Sequence, residues 1–168
     1  NKTWKISTWK NDGNCQKMWI NAFKNWVDAL HTNTSEGKVS YKLVTEGEIY
    51  SDENITVNAI RTKHIEFGKF PSYAYVVKTA DKNFLYTGDL CGTFEDYPQI
   101  VFNEDFDAIL CELVHFDIDK NLDTIVKSRT KKIIFTHMRT EKAEYIMGFA
   151  DKFPFEICTA TDEMCYEI

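Results

Sequence analysis

Phe84-Leu85-Tyr86-Thr87-Gly88-Asp89-Leu90-Cys91-Gly92 is the stretch that decides the fold of this chain. Phe84-Leu85-Tyr86 reads as a buried strand, and Thr87-Gly88-Asp89 ends it in a turn that carries a bare carboxylate. Two further apolar strands follow. Ala108-Ile109-Leu110-Cys111 closes on Glu112, and Ile133-Ile134-Phe135-Thr136 closes on His137. Upstream, Val57-Asn58-Ala59-Ile60 leads through a short loop to His64. Strand ends gather at one edge of a sheet, so ionisable groups placed there converge on one site. Two histidines and two carboxylates in such positions have the make-up of a metal site.

Around this centre the pattern divides. Strands are expected near Tyr41–Val44, Glu48–Tyr50 and Thr56–Ile60, with a hairpin of Tyr73–Thr79 and Phe84–Thr87 around Ala80-Asp81-Lys82-Asn83. After Asp89 the order becomes strand, helix, strand. Ile118, Leu122, Ile125 and Val126 fall on one helical face, and Ala143, Ile146, Met147 and Ala150 on another. Short strands are expected at Phe155–Cys158 and Cys165–Ile168. Nearer the start, Trp4–Ser7 reads as an edge strand. Asn14 is placed to cap a helix whose stripe is Met18, Trp19, Ala22, Phe23, Trp26, Val27 and Leu30. Antiparallel hairpins first and βαβ units second predict a mixed α/β class. Residues 1–38 form an N-terminal segment with that amphipathic helix, and residues 39–168 form the main unit.

Composition bounds the function. The 168 residues hold 43% hydrophobic and 14% aromatic side chains, enough for a packed core. The net charge of −6 repels a polyanion at long range, so DNA is not expected as a partner. No apolar run approaches the ~20 residues that span a bilayer, so no membrane partner is expected either. No secretory leader pattern opens the chain, and residue 1 is Asn rather than Met, as in a processed or truncated product. The five cysteines are odd in number and form no C-x-x-C pair, which predicts a reducing, cytoplasmic setting without a disulfide framework. Cys111, inside an apolar strand, reads as a small hydrophobe.

Each polar residue has an ordinary alternative. Asp89 can be a turn residue, and His64, after Arg61-Thr62-Lys63, a loop histidine on a basic surface. Glu112 can cap a helix or pair with a cation, and His115 can sit at a helix start. His31 reads as a solvated histidine at a helix C-terminus. His137 is harder to set aside, because the core residues of the four-residue strand before it hold it rigidly. Taken together, imidazoles and carboxylates at strand ends suit zinc-class ions. A carboxylate can bridge two metals ~3.5–4 Å apart in a hydrolytic site, and another can orient a metal-bound histidine.

The order TKHIEFG, FLYTGDL, ILCELVH and IIFTHM resembles the second half of a metallo-β-lactamase-fold hydrolase, nearest the branch containing ribonuclease Z. Thr159-Ala160-Thr161-Asp162-Glu163-Met164 resembles that branch's closing strand. The likeness runs from about residue 39 to the end. It implies half of a four-layer αββα sandwich, one mixed sheet with helices on one face. It implies His64, Asp89 and His137 as metal ligands, Asp89 bridging two divalent ions, with zinc first and manganese or iron as alternatives. It implies His115 as the group acting on the leaving group, with Glu112 orienting it or the water. The hallmark His-x-His-x-Asp-His does not occur in this chain, whose only histidines are four in number. The resemblance therefore implies a partner, either an N-terminal half of the same fold or a second copy, and little activity for the chain alone. The segment from His64 to Asp89 leaves no room for a long tRNA-gripping arm. A small phosphodiester or RNA is the expected substrate, with a lactone or carboxylic ester as the alternative. A non-catalytic α/β binding or signalling domain is the alternative of another class.

Overall fold

The computed structural model describes residues 20–26, 44–64, 71–160, 164–166 and 168. Among the described residues seven strands form one sheet in chain order: β1 (Gly47–Ser51), β2 (Thr56–Thr62), β3 (Ser72–Lys78), β4 (Asn83–Tyr86), β5 (Ala108–Glu112), β6 (Lys132–Thr136) and β7 (Glu156–Thr159). The first four make an antiparallel meander, and β4 to β7 run parallel. Parallel neighbours need long crossovers. Helix α1 (Ile118–Ile125) supplies one between β5 and β6, and α2 (Thr140–Met147) another between β6 and β7. This is the mixed sheet that the sequence predicts, and not the all-parallel sheet of a doubly wound binding domain.

Alternation along the strands builds the core. Val76, Leu85, Ile109, Ile133 and Ile157 lie side by side across five strands by register, and Cys111 pairs with Phe135 beside them. All are buried, and they share one cluster with Phe94, Tyr97, Phe116, Ile118, Ile125 and Ile146. Both helices thus pack on one face. The residues between them point to the other face, where Val77, Phe84 and Leu110 are half-buried and Tyr86 is exposed. Asp117 caps α1 by accepting from the Asp119 amide.

Several expectations shift. The second helix runs Thr140–Met147 rather than centring on Ala143–Ala150, because the chain leaves the helix at Gly148 and Ala150 falls in a short 3-10 turn. His115 lies in the turn before α1, which begins only at Ile118. Cys165–Ile168 forms no strand at its described positions, of which Cys165 and Ile168 are exposed. Val44 is not in a strand, and positions 41–43 lie outside the described residues. The expected N-terminal helix is helical over residues 20–26; its other positions, the Trp4–Ser7 strand and His31 lie outside the described residues. Among the described residues Cys91, Cys111, Cys158 and Cys165 are free thiols, and no helix is long and apolar enough to cross a membrane.

Candidate metal centre

Direction of the chain explains why the polar residues meet. β2 and β4 are each antiparallel to β3, so they run the same way, and β5 and β6 run parallel to β4. The C-terminal ends of β2, β4, β5 and β6 therefore share one edge of the sheet. Those ends lead to His64, Asp89, Glu112 with His115, and His137. Open α/β sheets bind ligands at this edge.

Two local features steer the chain into the site. Gly88 has φ of 58°, and a Cβ there would stand 2.7 Å from the Tyr73 carbonyl oxygen. Only glycine fits that approach. His137 has φ of 49°, uncommon outside glycine and a mark of strain at functional positions.

Asp89 stands between two imidazoles. Its Oδ2 is 3.6 Å from His64 Nε2 and its Oδ1 is 3.1 Å from His137 Nδ1. The Leu90 carbonyl, which can only accept, lies 3.1 Å from His64 Nδ1. That bond places a proton on Nδ1 and turns Nε2 toward Asp89, the orientation in which a backbone carbonyl holds a ligating histidine. The His115 ring lies between the other two, with centroids 4.3 Å from His64 and 5.4 Å from His137. Ligand atoms of His64, Asp89 and His115 all fall within 4.8 Å of one another, as do those of Glu112, His115 and His137.

Glu112 is spent on structure. It is 1% exposed. Oε1 accepts from the Leu90 amide at 3.0 Å and faces His115 Nδ1 at 3.1 Å. Oε2 accepts from the amides of Val114 at 2.6 Å and His115 at 3.1 Å. With its lone pairs engaged, Glu112 orients His115 and leaves His115 Nε2 open. The Tyr86 phenol at the end of β4 is pushed up in pKa by burial first, and then by the charges of Asp89 and Glu112. The buried Cys111 thiol is pushed far up, first by burial and then by Glu112. It is inert packing, as read from sequence.

One buried acid escaped the sequence reading. Asp96 accepts from the Lys63 amide at 2.6 Å and from the Cys91 amide at 3.0 and 3.1 Å. It fastens the loop carrying His64 to the loop carrying Asp89. A carboxylate amid Phe94, Tyr97 and Pro98 was the available signal.

The donor set fits divalent ions. Imidazole nitrogen and carboxylate oxygen are the ligand types of zinc-class sites, and a site with two carboxylates gains from added positive charge.

No protein-family model and no curated protein matches the sequence. Solved structures do match in shape. The metallo-β-lactamase fold protein YhfI from Bacillus subtilis aligns at TM-score 0.63 with 13% identity, over 96% of this chain and 64% of that one. Zinc-bound PqqB from Methylobacterium extorquens aligns at 0.64 with 9% identity, over 99% and 65%. A diphosphatase of the PhnP family aligns at 0.56 with 14% identity, over 100% and 60%. The chain has the metallo-β-lactamase fold, and it spans less than two thirds of the length of each of these three proteins.

Proposed function

We propose that this chain forms the C-terminal part of a metal-dependent hydrolase that cleaves phosphodiesters, small ones or RNA, in the manner of the ribonuclease Z-like branch. The observation that carries this reading is the convergence of His64, Asp89 and His137 beside a His115 tied to Glu112. The likeness to a diphosphatase lends support to phosphoryl chemistry.

His64, Asp89 and His137 would hold divalent ions, zinc first, with Asp89 offering one oxygen to each side. Such ions supply Lewis-acid polarisation of a phosphoryl oxygen and activation of water. The chain's own residues do the rest. The Leu90 carbonyl fixes the His64 tautomer, and Asp96 holds the two ligand loops in register. His115 presents Nε2 and, when doubly protonated, gives that proton to the leaving oxygen. Glu112, bonded to Nδ1, keeps the ring in place as the proton moves. The remaining ligands would come from a polypeptide segment bearing His-x-His-x-Asp-His. Its sheet would cover the half-exposed face of Val77, Phe84 and Leu110.

The test is zinc binding by calorimetry and hydrolysis of bis(p-nitrophenyl) phosphate by the chain together with that segment. Asp89→Ala should abolish both. Full zinc stoichiometry and full turnover in this variant would refute the reading.

A further inference from the structure

Lys142 stands in the first turn of α2, five residues after His137. Three N–H groups at such a helix end favour an anion, so a cation needs another reason to be there. Its Nζ donates to the carbonyls of Leu113 at 2.6 Å, Val114 at 3.2 Å and Phe116 at 3.3 Å. Three donors of one ammonium meet three acceptors of one turn. His115 is the residue those carbonyls enclose, and its own carbonyl turns elsewhere: a Cβ on Gly92 would lie 3.3 Å from it.

We infer that Lys142 is a positioning residue for His115. Its ammonium clamps the turn 113–116 from the helix side, while Glu112 holds the same turn from the sheet side through the amides of Val114 and His115. The His115 ring is thereby fixed between His64 and His137. Because α2 follows directly on His137, the clamp also links the proposed proton donor to a proposed metal ligand through one short helix. A cation suits this point better than a neutral residue, since three carbonyl dipoles converge there and a positive charge with several N–H donors answers them.

This inference rests on the proposed role of His115 as proton donor. Its test uses neither metal nor substrate, so the two can fail separately. The full chain, labelled with ¹⁵N at histidine and at backbone amides, is compared with Lys142→Met and Lys142→Arg by NMR. In the wild type His115 should show one tautomer, protonated at Nδ1. In Lys142→Met the His115 ring signals should move toward a tautomer mixture. The Val114 and His115 amides should exchange about tenfold to a hundredfold faster, the worth of a charge-assisted hydrogen bond. Lys142→Arg should restore both, and the His64 signals should hold throughout. If the Met variant does not fold, Lys142→Gln takes its place and the same readings decide. A folded Met or Gln variant with wild-type His115 signals and exchange overturns the inference. So does a change spread evenly over the domain that arginine does not reverse.

Discussion

Glu112→Gln changes the shape of the site least and its hydrogen bonding most. The carboxylate is 1% exposed, and its two oxygens accept from three backbone amides and one ring nitrogen. Glutamine keeps one acceptor and turns the other into a donor. With its NH₂ at the Oε2 place the amide faces the Val114 and His115 N–H groups; at the Oε1 place it faces the Leu90 N–H, while His115 Nδ1 can accept by changing tautomer, so one or two donors lose their partner. Each such donor costs about 1–3 kcal/mol. With partial relaxation the expected loss is about 2–4 kcal/mol, a large share of the ~5–15 kcal/mol that holds a domain together. For a chain of 168 residues this is about 4–16 °C in Tm. Urea unfolding followed by circular dichroism measures it, with thermal melts alongside. A loss under about 0.5 kcal/mol would mean that Glu112 is not the acceptor joining the two loops, and the His115 geometry would have to be redrawn.

Gly88→Ala should cost at least about 2 kcal/mol, since the positive φ and the 2.7 Å approach to the Tyr73 oxygen act together; an unchanged urea midpoint would count against that turn. In the proposed assembled hydrolase, His115→Ala should lower turnover roughly 10²–10⁴-fold for poor leaving groups, and less for bis(p-nitrophenyl) phosphate, with metal content kept. Metal lost in that variant would make His115 a ligand. Asp107 is held below the usual carboxylate range, first by the hydrogen bond from Lys131 and next by the Asn83 amide. Its contribution to stability is present above the ordinary Asp value and fades as pH falls below about 4. Lys131→Met should therefore shrink the difference between melts at pH 7 and pH 3, and an unchanged difference would deny the pairing.

Much of the scaffold was legible because buried parallel strands announce themselves. Ala108–Glu112 and Lys132–Thr136 are largely apolar runs of strand length, one ending on Glu112 and the other leading into His137, and the chain direction brings both groups to one edge. The ends of α2 were less legible, because its apolar positions continue past Gly148 into the next turn. Cys165–Ile168 has the composition of a strand, but composition does not supply a neighbour, and β7 already ends the sheet. Asp96, marked only by its apolar neighbours, and Lys142 were harder to read for a different reason. Both act on backbone amides and carbonyls, which every residue carries, so no partner residue type marks them.

The site therefore has two layers with different sequence signatures. His64, Asp89, His115 and His137 show themselves by type only in combination, because each alone has an ordinary use in a turn, a loop or at a helix start. The groups that hold them do so through main-chain atoms: Leu90 O on His64, Asp96 on the Lys63 and Cys91 amides, Glu112 on the Leu90, Val114 and His115 amides, and Lys142 on three carbonyls. Such bonds do not depend on the side chain of the residue being held, so packing alone decides what each held position accepts, and Leu90, Cys91, Leu113 and Phe116 are buried. It follows that substitutions at Val114, whose side chain is exposed and whose amide and carbonyl make the hydrogen bonds, should be mild. Those at Glu112 and Lys142 should be felt at His115, although neither needs to touch a metal or a substrate.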